Sequence, residues 1–394
     1  MRELGASGAA RLRVHSRVGR LRPHLPLQRL RFEIAALLRL ALVCILPLGA
    51  GVERERVVLT LKNIGMLKKA RVDIGGLSVI AGANDEGKST VGKALMALIK
   101  SENNLIHPKY AKQSFNRLIN LLFDNQMTKR GYLKLEINDG KFYEAIIVKN
   151  KCTQFNTRKR GGSYCRFSNC TFIQSPFIWD LYSFFSSVAV LEVENRLYQN
   201  NQNEFDFKYP YVLWDLHGKM SIERPRLVKK DIQEIKEYIQ ETMGGFFVKK
   251  QGKYMFYKPK SDVQIPLVNI ATGIKSFGIL QALIDNGYMT KYNFLIFDEP
   301  ENHLHPTWQV KFAEILVRLV QNHVCIMVNT HSPFMLDALY EYAQKYKINA
   351  NFYLADGGKV EQVNDNNDAT LELIYKKLNM SFDMIDKAEK LNNG

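Results

Sequence analysis

Cysteine is scarce in this sequence, and its spacing is irregular. The 394 residues include five cysteines, and no two of them form a Cys-x-x-Cys pair. Cys325 lies inside an apolar run, where a thiol behaves as a small hydrophobic side chain. The pattern gives no sign of a disulfide framework, so we expect a reducing compartment and a cytoplasmic location.

Acidic residues are too few to balance the basic ones. The sequence has 55 Lys and Arg against 39 Asp and Glu, and its net charge is +16. Beyond residue 56 the excess concentrates in two clusters: Lys149, Lys151, Arg158, Lys159 and Arg160, and then Arg224, Arg226, Lys229, Lys230, Lys249, Lys250, Lys253, Lys258 and Lys260. Such clusters favour phosphate backbones, and a solvated basic surface is the equal alternative.

Residues 1–56 lack Lys, Asn, Tyr and Asp, in which the rest of the chain is rich. They contain eleven Arg and four Glu, so they carry +7 of the +16 and leave +9 for the remainder. The apolar stretch 34–51 resembles a secretory signal, but Arg39 interrupts it and it is short for a membrane span. We expect 1–56 to be a basic leader outside the functional domain, with no membrane partner. A targeting or membrane role is the alternative.

No apolar heptad pattern persists over several turns, so long coiled-coil arms are not expected. The 46% hydrophobic content is enough for a sizeable core. We predict one large domain over residues 57–365 with an insertion at 101–260, followed by a helical tail at 366–394. Within the insertion, the patterns predict helices at 111–123 and 231–243 and a strand at 132–137.

The chain does contain a glycine-rich motif that binds phosphate. Residues 81–90 read Ala-Gly-Ala-Asn-Asp-Glu-Gly-Lys-Ser-Thr, between a strand-like run at 77–80 and a helical pattern at 91–99. The glycines let backbone N–H groups turn toward a phosphate. Lys88 is predicted to reach the β- and γ-phosphates of ATP, and Ser89 to hold Mg²⁺. The candidate ATP-binding residues here are Gly82, Asn84, Gly87, Lys88, Ser89 and Thr90.

Two later apolar runs end in polar side chains. The run 294–297 is followed by Asp298 and Glu299, and carboxylates at the end of a buried strand are poorly explained by packing. Asp298 is predicted to hold Mg²⁺ together with Ser89, and Glu299 to be the general base that orients the attacking water. His331 follows the run 324–328, at the sheet edge where nucleotides bind, and is a catalytic candidate.

Together these motifs resemble the ATP-binding-cassette (ABC) ATPase superfamily, most of all its RecF/SMC-like branch and the ATPase domains of OLD-type proteins. Residues 298–306 (Asp-Glu-Pro-Glu-Asn-His-Leu-His-Pro) and 329–333 (Asn-Thr-His-Ser-Pro) carry the resemblance. It implies an α/β fold, namely a P-loop NTPase head with a mixed sheet and an inserted α+β lid subdomain. It also implies a head-to-tail homodimer that closes around two ATP molecules.

The resemblance assigns roles to three further segments. Residues 269–277 stand at the position of the family's signature, where Thr272, Gly273 and Lys275 would contact the ATP of the partner subunit; a helix cap is the alternative. Ile274 departs from the usual second glycine of that signature. Gln174, after the run 171–173, would touch Mg²⁺ or the attacking water; an ordinary turn residue is the alternative. Residues 302–305 would line the dimer seam, and their paired histidines have no evident third metal ligand.

The expected function is that of an ATP-binding and ATP-hydrolysing switch that dimerises on ATP. We expect it to be the sensor of a bacterial anti-phage or toxin-type system with an effector protein in trans. Only about thirty residues follow Gln362, too few for the Toprim nuclease domain of OLD-type proteins. The alternatives are a RecF-like repair ATPase that binds duplex DNA and an ATP-gated scaffold with little turnover.

Overall fold

The apolar runs that precede the sequence motifs form strands at the centre of a large mixed sheet. The computed structural model describes residues 56–103, 108–124, 126–137, 140–158, 167–198, 209–222, 229–250 and 252–378. The strands of these ranges are β1 (Val57–Ile64), β2 (Leu67–Asp73), β3 (Leu77–Ala81), β4 (Arg130–Ile137), β5 (Phe142–Val148), β6 (Lys151–Arg158), β7 (Asn169–Ile173), β8 (Phe246–Lys250), β9 (Lys253–Lys258), β10 (Val263–Pro266), β11 (Asn293–Asp298), β12 (Ile326–Thr330), β13 (Ala350–Asp356) and β14 (Lys359–Glu361).

Helices cover the sheet. They are α1 (Lys88–Asn103), α2 (Pro108–Phe123), α3 (Tyr182–Tyr198), α4 (Tyr211–Ser221), α5 (Lys230–Met243), α6 (Thr272–Asp285), α7 (Pro306–Gln321) and α8 (Pro333–Lys345). Residues 367–378 are also helical. Among the described residues, none of the helices has both the length and the apolar character needed to cross a membrane.

Eleven of the described strands form one sheet in the order β6-β5-β4-β1-β2-β14-β13-β3-β12-β11-β7. The half from β13 to β7 is parallel, whereas β1, β2, β4, β5 and β6 pair antiparallel. Every residue of β3, β11 and β12 is buried, which explains why these strands are mostly apolar and show no alternation with polar residues. In the parallel half, the carboxyl ends of β3, β12, β11 and β7 all lie at one edge of the sheet.

Side-chain alternation along the central strands sorts the interior into two cores. Leu295 and Phe297 of β11 belong to the core that also holds α6, α7 and α8, while Phe294 and Ile296 belong to the core that holds α1. This is the period of two that a strand buried on both faces requires. The result is a helix–sheet–helix sandwich, with α1 on one face of the sheet and α6, α7 and α8 on the other.

Residues 101–260 contribute to the main sheet as well as to its surroundings. Strands β4, β5 and β6 extend its antiparallel half, and β7 forms the edge of its parallel half. The remaining strands, β8, β9 and β10, form a separate antiparallel sheet. The predicted helices at 111–123 and 231–243 are found as α2 and α5. The limits of the leader, the insertion and the tail stay predictions, and residues 1–55 and 379–394 lie outside the described residues.

A buried charged cluster joins the far end of α1 to α4 and to the edge strand β7. Asp215 of α4 pairs with Lys100 of α1 and, at 2.7 Å, with Lys219. Lys219 Nζ also donates to the carbonyl oxygen of Cys170 at 2.6 Å. Burial lowers the pKa of Lys219 to about 8, against the opposite effect of Asp215. The cluster therefore ties the helix that follows the glycine-rich loop to the strand that leads to Gln174.

Candidate active site

The glycine-rich loop between β3 and α1 is shaped at two glycines that leave no room for a side chain. A Cβ on Gly82 would lie 2.3 Å from the carbonyl oxygen of Ala355 on β13. Gly87 has φ +85°, and its Cβ would lie 2.7 Å from Leu67 Cδ2. Asp85 also has a positive φ, +68°. The loop thus requires glycine where the motif has it, and Asn84 lies exposed on its outer side.

Lys88 folds back over this loop. Its Nζ donates to the carbonyl oxygens of Gly82 and Ala83 at 2.9 and 2.8 Å, and its side chain is 4% exposed. The same Nζ lies 3.6 Å from Glu299 Oε1 at the end of β11. The structure therefore brings the ammonium of the loop to the predicted base, across more than two hundred residues of sequence.

Ser89 and Asp298, the two predicted Mg²⁺ ligands, are in direct contact. Ser89 Oγ donates to Asp298 Oδ1 at 3.0 Å, and Asn329 Nδ2 donates to the same oxygen at 2.7 Å. Burial raises the pKa of Asp298. The hydrogen bonds from Asn329 and Ser89 oppose that shift, and the charge of Glu299 adds to it. A buried carboxylate next to a second one suits a divalent cation.

Glu299 leaves the strand in a left-handed conformation, with φ +52°. Successive side chains of an extended strand point to opposite faces, and this turn breaks that alternation directly after Asp298. Glu299 Oε1 lies 3.4 Å from His331 Nδ1, and Oε2 accepts a hydrogen bond from Asn302 Nδ2 at 3.2 Å. Glu299 therefore faces both Lys88 and His331.

His331 lies in the loop between β12 and α8. Its side chain is 38% exposed, and its Nδ1 is 3.4 Å from the carboxylates of both Glu299 and Glu301. Sequence reasoning gave no role to Glu301 or to Asn329, although both hold the site together. A role for Asn329 could have been inferred only from the register of β11 and β12, which places Asp298 opposite Asn329.

Gln174 and Thr90 lie at the margins of this group. Gln174 is exposed and follows the Ile173–Phe297 pair of β7 and β11 by one residue, so it lies at the edge that carries Asp298. Thr90 donates its backbone N–H to the Gly87 carbonyl at 3.1 Å and, through its side chain, packs against the β1–β2 turn.

The signature residues form a separate group at the amino end of α6. A Cβ on Gly273 would lie 3.2 Å from the Trp308 ring, and Lys275 Nζ donates to Asp180 Oδ1 at 2.6 Å. Thr272 is exposed. Within the described part of the chain, none of the hydrogen bonds or ion pairs of Thr272, Gly273 and Lys275 reaches the glycine-rich loop.

The paired histidines take structural positions. His305 caps the amino end of α7, where its Nδ1 accepts a hydrogen bond from the backbone N–H of Thr307 at 3.4 Å. His303 has a left-handed backbone, with φ +68°. The described ranges contain no group of three or more His, Cys, Asp or Glu side chains arranged to hold a metal ion.

A protein-family model matches this part of the chain. Its description is "AAA domain, putative AbiEii toxin, Type IV TA system", and it covers residues 77–337, from β3 into α8. The chain belongs to this family. It is a P-loop ATPase of this family, and P-loop ATPases use ATP with Mg²⁺. The predicted α/β fold with a large mixed sheet is confirmed, and the finer assignment to OLD-type proteins stays a prediction.

No curated protein sequence matches the chain. Solved structures align with this family member at low identity. The SMC head domain from Thermotoga maritima is 14% identical, with a TM-score of 0.42, over 79% of this chain and 98% of that one. The Smc head domain with an extended coiled coil, bound to the C-terminal domain of ScpA, from Pyrococcus furiosus is 13% identical (TM-score 0.45, 82% and 99%). An SmcHead bound to the C-winged helix domain of ScpA is 14% identical (TM-score 0.45, 78% and 96%).

The residues of the site fit ATP and Mg²⁺. Asp298 and Glu299 are adjacent carboxylates, and among the described residues Lys88 is the ammonium that pairs with Glu299, so a divalent cation at Asp298 would balance the remaining charge. Among the described residues of the site, three polar atoms are buried without a hydrogen-bond partner: Glu301 Oε2, Asn329 Oδ1 and His331 Nδ1. Ser89 and Asp298 would hold Mg²⁺, and the loop around Lys88 would hold the phosphates.

Proposed function

We propose that this chain hydrolyses ATP to ADP and phosphate and uses the reaction as a conformational switch. One observation carries the proposal. Lys88, Ser89, Asp298, Glu299 and His331 come from three separate segments and meet at the carboxyl edge of β3, β11 and β12. This is the edge at which open α/β sheets bind their ligands.

The chain's own groups divide the chemistry among them. Lys88 supplies positive charge for the β- and γ-phosphates, and Glu299 accepts a proton from the attacking water. His331, which lies 3.4 Å from Glu299, is proposed to contact the transferred γ-phosphate oxygens. When bound, Mg²⁺ would neutralise the charge that develops on the phosphate oxygens. Gln174 is proposed to contribute to water or Mg²⁺ positioning from the adjacent strand end.

The switch is proposed to work through an ATP-dependent homodimer. Thr272, Gly273 and Lys275 lie outside the hydrogen-bonded group around Lys88. A second copy would offer its signature helix to the phosphates through the amino end of α6, where backbone N–H groups favour an anion. Lys275 is already committed to Asp180, so Thr272 and Gly273 are the stronger candidates for that contact.

The family description favours a toxin-type system over the other outputs. It names a toxin and a type IV toxin–antitoxin system, and we propose the same context here, with an effector protein in trans. Duplex DNA is the second candidate. Of its proposed contacts, Lys249 donates to the Ser221 carbonyl at 2.7 Å, whereas Lys250 and Lys253 are exposed at the turn between β8 and β9. Exposed lysines at a turn bind phosphate backbones or only water, so the antiviral and DNA-binding roles remain predictions.

Replacing the proposed base tests hydrolysis directly. Glu299→Gln keeps the size of the side chain and removes its ability to accept a proton, so we expect kcat for ATP to fall by a factor on the order of 10² or more. ATP binding should be retained, because Glu299 contacts Lys88 rather than the glycines of the loop. Steady-state phosphate release and the fluorescence of a bound ATP analogue measure the two quantities.

The exposed residue Glu341 on α8 provides a matched control. Glu341→Gln removes the same charge away from the site and should leave both quantities unchanged. Equal turnover in the wild-type and Glu299→Gln proteins would exclude Glu299 as the base. A wild-type protein that binds ATP with negligible turnover would instead support the ATP-gated scaffold.

A further inference from the structure

A buried glutamate underlies the loop that carries His331. The side chain of Glu301 is 3% exposed. Its Oε1 accepts three hydrogen bonds, from Thr330 Oγ1 at 2.6 Å, from the His331 backbone N–H at 2.8 Å and from the Ser332 backbone N–H at 3.2 Å. The donors are the last residue of β12 and the two residues that connect this strand to α8, so the end of the strand and its connection are folded around one carboxylate oxygen.

The position of this carboxylate is electrostatically favourable. It lies at the amino end of α8, where unpaired N–H groups and the helix dipole stabilise an anion. Ser332 caps the same helix end, accepting from the Met335 N–H at 3.3 Å and donating to Gln309 Oε1 at 2.6 Å. The loop is thus held from two sides, by Glu301 from the β11 turn and by Gln309 from α7.

The second oxygen of Glu301 is not needed to hold the loop. Oε2 is buried and makes no hydrogen bond. A buried polar atom without a partner costs stability, so Oε2 does not account for how this side chain holds the loop. The three hydrogen bonds to the loop all depend on Oε1, an acceptor that a glutamine side chain would keep.

Besides the three hydrogen-bond donors, the carboxylate of Glu301 has one further close polar side chain among the described residues, the imidazole of His331. His331 Nδ1 lies 3.4 Å from Oε1 of Glu301 and 3.4 Å from Oε1 of Glu299, yet it forms a hydrogen bond with neither in this conformation. The imidazole is therefore held between the proposed base and a buried acid by the backbone of its own loop. Small displacements of that loop would change the distance from His331 to Glu299.

We propose that Glu301 is a positioning residue for hydrolysis, one that sets the place and orientation of His331 relative to Glu299. The inference rests on the proposed function, because its effect on turnover is expressed through His331. Glu301 itself touches neither the glycine-rich loop nor Lys88 among its hydrogen bonds and ion pairs.

A double-mutant cycle tests the proposal. Misplacing a catalytic group by about 1 Å can cost on the order of 10²-fold, so we expect Glu301→Ala to lower kcat by between about 10- and 100-fold with KM for ATP nearly unchanged. The same substitution in a His331→Ala background should have almost no further effect. Glu301→Gln, which keeps the acceptor, should retain the loop and lose less turnover than Glu301→Ala.

Hydrogen exchange supplies a readout that does not depend on turnover. The amides of His331 and Ser332 should exchange faster in Glu301→Ala and stay protected in Glu301→Gln. Glu314→Ala is the control, since Glu314 accepts from Tyr238 and Tyr346 away from the site. Equal losses of kcat in the wild-type and His331→Ala backgrounds would overturn the proposal, as would unchanged exchange. If the wild-type protein hydrolyses no ATP, the proposed function fails and the exchange result alone decides whether Glu301 holds the loop.

Discussion

Asp298 shows at the scale of one residue how a binding site costs the ligand-free protein stability. Its carboxylate is buried, and burial raises its pKa from the ordinary value of 3.8. The folded protein therefore binds this proton more tightly than the unfolded chain does. The free energy of unfolding must then decrease as pH rises from the unfolded pKa through the higher folded one, and the penalty is complete above it.

Removing that charge should stabilise the protein without ligand. We expect Asp298→Asn to raise the free energy of unfolding at pH 7 by about 0.5–2 kcal/mol, because the amide still accepts from Ser89 and Asn329. Because the folded pKa is raised above 3.8, the gain should shrink as the pH falls through the folded pKa toward the unfolded one. Thermal unfolding in the absence of Mg²⁺, measured between pH 4 and 7.5, tests both statements.

The exposed residue Glu372 provides a control for Asp298→Asn. Glu372→Gln should leave the midpoint temperature of thermal unfolding unchanged at every pH. Addition of Mg²⁺ and ATP should reverse the order, because ligand that binds only the folded wild-type protein stabilises it by mass action. An Asp298→Asn protein that is less stable than wild type at pH 7 without ligand would show that the buried carboxylate is not under strain.

Individual side chains also mark where sequence reasoning stops. Lys88, Ser89, Asp298 and Glu299 were recognisable because each follows or opens an apolar segment of fixed pattern. The role of Glu301 was not, since its donors lie about thirty residues away and meet it only because β11 and β12 are neighbours in the sheet. The predicted contact of Lys275 with the ATP of a partner subunit stays a prediction, and its pairing with Asp180, ninety-five residues upstream, has no local signal in the sequence.

At the scale of the element, α1 packs so closely on the sheet that one of its positions has no room for a side chain. Gly92 lies in this helix, and a Cβ there would be 2.8 Å from the Phe172 ring on β7 and 2.9 Å from Ile296 on β11. Both neighbours are fully buried. The glycine therefore fixes how the helix that begins at Lys88 is seated on the two strands that end at Gln174 and Asp298.

Two glycine-to-alanine substitutions should consequently have opposite signs. Alanine favours a helix interior by about 1 kcal/mol over glycine, but overpacking a core costs about 1–3 kcal/mol. We expect Gly92→Ala to destabilise the protein by about 1–2 kcal/mol in urea unfolding. Gly218→Ala in α4, where a Cβ meets nothing within 4 Å, should be neutral or stabilising by up to about 1 kcal/mol. Equal effects at the two positions would mean that α1 can shift without cost.

Strands could be predicted from the sequence where their burial produced a recognisable hydrophobic pattern. The fully buried strands β3 and β11 are mostly apolar in sequence, and their predicted ends lie within one residue of the observed ends. Strands β4, β5 and β6 lie in a range predicted as an insertion, because an antiparallel strand that continues a sheet has the same sequence pattern as one that starts a new sheet. Only the observed pairing of β4 with β1 shows that these strands continue the main sheet and do not start a separate one.

At the scale of the whole molecule, the site is built from segments that are distant in the sequence. The glycine-rich loop and the acids of β11 meet within the chain, whereas Thr272 and Gly273 stand apart at the amino end of α6. A helix amino end with an exposed threonine is suited to an anion that comes from outside the chain. A second copy of the same chain carries such an anion once ATP is bound to its own loop.

ATP should therefore convert the protein from one chain to two. We expect Glu299→Gln, which should bind ATP with little turnover, to move from a mass of about 45.3 kDa to twice that value when ATP and Mg²⁺ are added. Thr272→Arg should still bind ATP and remain a single chain, because the new side chain occupies the proposed seam. Gln344→Arg, at an exposed position of α8, should dimerise normally. Light scattering after size exclusion measures the mass. A Glu299→Gln protein that is saturated with ATP and still a single chain would rule out the dimer, and a dimer that forms equally without ATP would rule out the switch.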